Sequence, residues 1–282
     1  MIRFANENEN EKEQIIDLWE TVFGDSREAI EMFLSNHFKP ENTIVFSEKG
    51  RIVSMFFLLE GNLVFKEESY SSYYLYAACT LPEFRGRGIM TLLIKFATEV
   101  AKERETDFIF LLPAEESLYG YYSSFGFLPL FGLKRISVEN DVHQINTTDF
   151  SNDKFNPEEL FELRENGLQD IPHFSWNAKD INFAVDFNRY YGGETVHSDN
   201  GYLLYSVSDG ELNIKESAYA LKETEEAALS LCDKLGCTKI SINLPSYTAD
   251  CSNKHGMALP LNESSALFLN NNRNVYLNLT LD

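Results

Sequence analysis

The sequence predicts a mixed α/β fold in which a central mixed sheet is built around a strand–helix–strand crossover, with a second domain of similar order behind it. Three observations predict this. Apolar spacing switches back and forth between helical and strand periods along the chain. The run Phe108-Ile109-Phe110-Leu111-Leu112 is apolar throughout, as expected of a strand covered on both faces. The strand–helix–strand order of residues 73–112 returns over 211–244, in order of elements rather than in residue identity.

Taken in order, residues 2–5 read as a short strand. Ile15, Ile16, Leu18, Trp19, Val22 and Phe23 recur at helical spacing, and Gly24 closes that helix. Ser26 is an N-cap for a second helix, which Lys39-Pro40 stops. Strands follow over 43–47, 52–59 and 63–66, separated by turn signals at Lys49-Gly50 and Gly61-Asn62. A strand over 73–80 leads to a helix over 89–104 whose Ile89, Leu93, Phe96 and Val100 form one stripe. The apolar strand at 108–112, a helix over 115–124 and a strand pair over 127–138 complete the first half. Polar, turn-forming residues then dominate 139–157, which places the domain boundary at 145/146, dividing the chain into 1–145 and 146–282. The second half reads as a helix over 180–191, a hairpin around Asp209-Gly210, a helix over 223–235 closed by Gly236, a strand over 239–244 and a terminal strand over 275–281.

Composition narrows the function. The chain has 282 residues, 44% of them hydrophobic, enough for two ordinary domains. Its net charge of −20 opposes nucleic-acid binding, which depends on basic residues neutralising phosphates, and favours cationic substrates. Cys79, Cys232, Cys237 and Cys251 have no metal or disulfide-framework spacing, and His37, His143, His173, His197 and His255 are scattered, so no metal is expected. The N-terminus has no apolar signal core and no run is long enough to span a bilayer, so a cytoplasmic protein without a membrane partner is expected.

The chemistry concentrates at Arg85-Gly86-Arg87-Gly88-Ile89-Met90, between the strand at 73–80 and the helix at 89–104. Two glycines let backbone amides approach a ligand closely. The loop feeds a helix N-terminus, where free N–H groups and the helix dipole favour anions. Between Glu83 and Arg104, five basic and three acidic residues leave +2 within a strongly acidic chain. This suits a pyrophosphate, although an isolated R-G-x-G can equally be an ordinary turn with solvated arginines.

A second motif follows: Tyr119-Gly120-Tyr121-Tyr122-Ser123-Ser124-Phe125-Gly126-Phe127. Together the two resemble the GNAT superfamily of N-acetyltransferases, in which [R/Q]-x-x-G-x-[G/A] follows the fourth strand and a later helix ends in Y-x-x-x-G-F. Arg85, Gly88 and the run from Tyr122 to Phe127 fit, and the resemblance covers residues 1–140. Met90 departs from the pattern at its last position, as in relatives similar to the enhanced-intracellular-survival acetyltransferases, and Glu115 stands where many members have Asn.

The resemblance implies a GNAT fold, acetyl-coenzyme A as cosubstrate, and direct transfer of the acetyl group to an amine of a small molecule or peptide. It implies that backbone groups of Ala78, Cys79 and Thr80 pair with the pantetheine arm, and that the amides of Arg85, Gly86, Arg87, Gly88, Ile89 and Met90 hold the pyrophosphate. Tyr122 becomes the general acid that protonates the departing thiolate, which a phenol of similar pKa does readily. Cys79 has a packing and backbone role, not a nucleophilic one. The general base is open among Glu60, Glu68, Tyr74 and Tyr76, and in the survival-type relatives the C-terminal carboxylate, here Asp282, is thought to serve.

The corresponding loop of the second half, 218–225, has no glycine and carries Glu223 and Glu225. That half reads as a degenerate GNAT-like domain without a cofactor, expected to buttress the first and shape the acceptor cleft. An aminoacyl-tRNA-dependent peptidyltransferase, which also pairs such domains, is opposed by the acidic charge and the intact loop. A non-catalytic acyl-coenzyme A sensor or interaction module shares the cofactor loop and is the alternative function. Oligomeric state, including a homo-oligomer, is left open by the sequence.

Overall fold

Local signals close the first helices where the sequence places them. In the computed structural model, which describes residues 1–139, 148–151, 156–246, 254–272 and 274–279, β1 (Ile2–Phe4) precedes α1 (Glu9–Phe23). Gly24, with φ 79°, ends α1 by donating its N–H to the Glu20 carbonyl. The Ser26 side chain accepts from the Ala29 amide and starts α2 (Arg27–His37). Then come β2 (Thr43–Glu48), β3 (Arg51–Phe65), β4 (Glu68–Thr80), α3 (Ile89–Glu103), β5 (Phe108–Leu111), α4 (Glu116–Ser123) and β6 (Leu128–Glu139). The second half contains α5 (Pro157–Leu168), β7 (His173–Ser175), α6 (Ala178–Tyr190), β8 (Glu194–Ser198), β9 (Gly201–Ser208), β10 (Glu211–Ser217), α7 (Leu221–Leu235), β11 (Lys239–Pro245), β12 (Lys254–Pro260) and α8 (Glu263–Asn271).

Two compact units result, and they are interleaved along the chain rather than divided at 145/146. The first comprises residues 1–61, 70–128 and 257–270, and the second 62–69, 129–256 and 271–282. The physical reason is strand pairing. Residues Met257 to Pro260 of β12 pair antiparallel with β5, from Met257 opposite Leu111 to Pro260 opposite Phe108. β6 pairs instead with β11, from Leu133 opposite Pro245 to Glu139 opposite Lys239.

In the first unit the sheet runs β1-β2-β3-β4-β5-β12. β4 and β5 are parallel, joined by α3, as the sequence predicts. All four residues of β5 are buried, in keeping with its apolar run. A core cluster gathers Phe56, Leu75, Leu93, Ile94, Ala97, Leu111 and Phe127 from β3, β4, α3, β5 and the segment after α4. On the other side, Trp19 and Phe33 pack at 5.0 Å between centroids, and Phe57 and Tyr76 join them.

In the second unit the sheet runs β6-β11-β10-β9-β8. Apart from β7, inserted between α5 and α6, the order α1-α2-β2-β3-β4-α3-β5 returns as α5-α6-β8-β9-β10-α7-β11, including a parallel final pair, β10 with β11. The repeat is therefore longer than the strand–helix–strand run visible in sequence.

Three expected elements differ. The turn at Gly61-Asn62 is absent: β3 runs straight through, and Asn62 to Val64 pair with β7, a strand the sequence does not signal. The pair over 127–138 is one strand, β6, in which a Cβ on Gly132 would fall 2.9 Å from Asn274 Oδ1, so this glycine serves a close approach rather than a turn. The strand over 275–281 reduces to isolated bridges, Val275 with Phe131 and Tyr276 with His173, and its last two residues lie outside those described.

Candidate active site

The site is built where β4 stops following its neighbour. Ser72, Tyr73 and Tyr74 pair with Phe108, Ile109 and Phe110 of β5, and the ladder ends there among the described residues. Ala77 then adopts φ 52°, a left-handed conformation uncommon outside glycine, and this re-aims the strand. On the β3 side the end of β4 stays closed: Leu81 N–H donates to the Val53 carbonyl at 2.9 Å, and the buried Ser54 hydroxyl donates to the Cys79 carbonyl at 2.8 Å. By strand alternation, backbone groups of Ala78 and Thr80 face the opposite edge. Cys79 is buried and its backbone is turned to β3, and burial pushes its thiol far above the ordinary range, so it packs rather than reacts.

The loop after β4 presents a row of open donors. Gly86 and Gly88 both have φ 73°, and a Cβ on either would meet nothing within 4 Å, so glycine is needed for its backbone conformation and not for space. The first helical bond of α3 is Leu92 N–H to the Gly88 carbonyl at 3.2 Å. The amides of Gly86, Arg87, Gly88, Ile89, Met90 and Thr91 have no protein acceptor among the described residues. Gly88 is the N-cap and supplies no side-chain cap, which leaves the positive end of the α3 dipole uncovered. The Arg85 amide is different: it already donates to the Pro82 carbonyl at 3.2 Å.

Both arginines brace this loop. Arg85 Nε donates to the Thr80 carbonyl at 3.0 Å. Arg87 bonds Glu48 at 2.8 Å and lies over the Phe84 ring at 5.2 Å. Met90 packs inward against the core cluster, so its departure from the family pattern leaves its amide open.

The second motif converges on the same cluster. Tyr122, near the end of α4, is buried among Leu75, Leu93, Leu111 and Phe127. Gly126, with φ 94°, turns the chain so that Phe127 is fully buried. Tyr122 hydroxyl makes no hydrogen bond among the described residues, whereas its neighbour Tyr121 lies within hydrogen-bonding distance of Thr91. Burial, with a smaller contribution from Tyr121, pushes the Tyr122 phenol up to about 12. It is therefore a protonated donor at neutral pH, with a pKa well above that of a thiol rather than matched to it, because the expected match ignores desolvation.

None of the candidate bases is brought to Tyr122 by a hydrogen bond. Burial acts to raise the Glu60 pKa, but hydrogen bonds from Lys39 and Asn42 prevail and hold it below the ordinary value, which makes it a poor base. Tyr74 is buried and stacked on Phe110, and Tyr76 belongs to the Trp19 cluster. Glu68 lies at the exposed start of β4 in the second unit, and Asp282 lies outside the described residues. Glu115 is the N-cap of α4, accepting from the Ser117 hydroxyl at 3.2 Å.

The loop before α7 is more fully bonded than the α3 loop. Ala218 N–H donates to Tyr202, Tyr219 N–H to Ser217 Oγ, and both Glu223 and Thr224 to Ala220. Among the described residues its open amides, Ala220 to Lys222, are half as many as those from Gly86 to Thr91, and no glycine shapes them. Sequence reasoning missed Ala77, Ser54 and Thr91. No signal marks an alanine for positive φ, and the other two act through contacts distant in sequence.

Comparison with known proteins bears on the fold that carries this site. Residues 2–129 match the acetyltransferase (GNAT) domain family. No curated protein matches the chain by sequence. Among solved structures, a GCN5-related N-acetyltransferase from Anabaena variabilis superposes with a TM-score of 0.78 at 15% identity, over 95% of this chain and 75% of that one. A conserved protein of unknown function from Enterococcus faecalis, described as a probable N-acyltransferase, gives 0.77 at 14% identity over 95% and 74%. Eis1 from Mycobacterium abscessus gives 0.74 at 14% identity over 95% and 75%. At these identities the likeness is one of fold. Residues 2–129, which hold the open amide row and the Tyr122–Phe127 segment, thus match the GNAT acetyltransferase domain family, and nearly the whole chain shares the fold of the solved GNAT structures.

Proposed function

We propose that the chain transfers an acetyl group from acetyl-coenzyme A directly to an amine, and that its first unit carries the reaction while the second is a degenerate GNAT-like domain without a cofactor. The observation that carries this is the run of unpaired amides from Gly86 to Thr91 at the uncapped start of α3. Such a run suits a pyrophosphate, because each amide can donate and the dipole adds favourable charge.

Acetyl-coenzyme A would supply an activated acetyl thioester. The amides from Gly86 to Thr91 hold its pyrophosphate, and Arg85 keeps the loop in place through Thr80. The open edge of β4 at Ala78 and Thr80 offers backbone groups to an extended arm, as an added strand would use them. Tyr122 holds a proton on its hydroxyl and donates it where thiolate charge develops. The acceptor is an amine of a small molecule or peptide, and the net charge of −20 favours cationic amines.

Isothermal titration of the full chain with acetyl-coenzyme A tests the first step. Wild type should bind in the micromolar range, and Gly88→Glu should lose binding because a carboxylate enters the anion cradle. A panel of polyamines, aminoglycosides, amino acids and peptide N-termini then tests transfer, with Tyr122→Phe slowed. Failure of the wild type to bind overturns the proposal. Binding without transfer to any amine overturns the catalytic part and favours a cofactor sensor.

A further inference from the structure

The second unit has its own cavity, and its walls divide by chemistry. Strand alternation gives the sheet two faces. Leu203, Leu212, Ile214, Ile240 and Ile242 point to one face and pack against α7. On the other face, Leu133, Arg135, Leu204 and Asn243 meet α6 around a cavity of about 370 Å³. That volume lies within the roughly 300–1,000 Å³ of small-molecule sites. Ala184, Phe187 and Tyr191 give it an apolar wall, and among the described residues no carboxylate lines it.

Its cations are the unexpected part. The chain has 44 acidic and 24 basic residues, so two cations on one cavity with no carboxylate among its described lining residues stand out. Lys215 and Arg135 both line the cavity, and neither has a carboxylate partner among the described residues. Among the described residues Arg135 bonds neutral groups, Ser241 Oγ at 2.6 Å and Asn213 Oδ1 at 3.2 Å. Lys215 sits in a β-bulge: Ile214 pairs with Tyr205 and Glu216 with Leu204, leaving Lys215 unpaired between them. Bulges re-aim a side chain, and here the Asn278 side chain fixes the Lys215 carbonyl. Partial desolvation holds the Lys215 ammonium below its ordinary pKa.

Register brings the two cations into one row. Arg135 pairs with Asn243, and Ile214 pairs with Ile242, so Arg135, Asn243 and Lys215 lie side by side across β6, β11 and β10. At strand spacing the outer two are about 10 Å apart at the backbone, within joint reach of one small anion. His255 adds a further polar group to the lining, and its Nε2 is buried with no partner among the described residues.

We propose that this cavity is a binding site for a small organic carboxylate with an apolar body, the carboxylate held by Lys215 and Arg135 and the body against Phe187 and Leu204. It lies wholly in the second unit and does not depend on what the α3 loop binds.

Titration of the full chain with hexanoate and with benzoate, followed by amide NMR, tests this. Shifts should concentrate at Leu204, Lys215 and Asn243. Lys215→Met keeps the apolar stem of an exposed side chain, and should weaken hexanoate about tenfold with an unchanged melting temperature. Hexanol, hexylamine and inorganic phosphate should each bind at least about tenfold more weakly, since each lacks either the anion or the apolar body. Acetyl-coenzyme A affinity should be the same in wild type and Lys215→Met. Equal binding of hexanol and hexanoate, full affinity in Lys215→Met, or no binding of either carboxylate at about 10 mM overturns the proposal; that concentration corresponds to less than about 3 kcal/mol of affinity.

Discussion

Arg85 Nε donates to the carbonyl of Thr80 at 3.0 Å, so the arginine of the Gly86–Gly88 loop is bonded to the strand that precedes its own loop. Its first task is to hold the loop against the end of β4. Arg85→Ala should therefore weaken acetyl-coenzyme A about three- to tenfold, since one exposed charge-assisted bond contributes about 1 kcal/mol. Arg85→Lys should recover little, because an ammonium cannot reproduce the directed Nε bond. Calorimetric titration of both variants checks this.

Gly88 separates conformation from space. With φ 73° and open surroundings, Gly88→Ala should cost about 1–2 kcal/mol in stability, and Gly88→Asn less, because asparagine tolerates the left-handed region. Denaturant midpoints of the two variants against wild type decide it.

Tyr122→Phe should lower kcat by about 10²–10⁴-fold while leaving acetyl-coenzyme A affinity near wild type. The pH dependence has a definite sign. Burial pushes the phenol up to about 12, so the proton-bearing form persists and Tyr122 should contribute no alkaline fall in rate below about pH 11. The raised folded value also stabilises the protein below the unfolded value of about 10, a gain lost as pH rises towards the folded value. Tyr122→Phe should lose less stability than wild type between pH 10 and 12, read by denaturant unfolding across that window.

The second unit has a buried ion pair at its centre. Arg164 and Glu216 are both fully buried and bonded at 2.8 Å, with Tyr276 hydroxyl also donating to Glu216 at 2.8 Å. Arg164→Ala should destabilise by about 3–5 kcal/mol, because it strands a buried carboxylate. Tyr276→Phe should cost about 1–3 kcal/mol, since Glu216 keeps its ion pair. Urea denaturation of each variant measures the difference.

What was legible in the sequence was local. The glycines of 86–88, the apolar run at 108–111 and the spacing from Tyr122 to Phe127 each carry their signal within a few residues, and all fall where their pattern places them. What was not legible depends on distant partners. Gly61-Asn62 has turn chemistry, yet pairing with His173 to Ser175 keeps it extended. Ala77 carries no mark of its left-handed conformation. The acidity of Tyr122 follows from burial among residues of three other elements. The domain boundary was placed where polarity rises, but a strand that returns from residue 257 is invisible to composition.

That returning strand also bears on how the protein is made. β12 covers the edge of β5, and its residues Met257 to Pro260 are the last strand of the first unit to be synthesised. At about 5–20 residues per second, the ribosome exposes β5 for several seconds before its cover emerges. Pairings so distant in sequence form slowly, and an uncovered apolar edge invites another chain to pair with it. The first unit thus cannot finish folding on the nascent chain until the second has almost left the ribosome, and a chain broken before 257 is set to aggregate rather than to form a smaller folded unit.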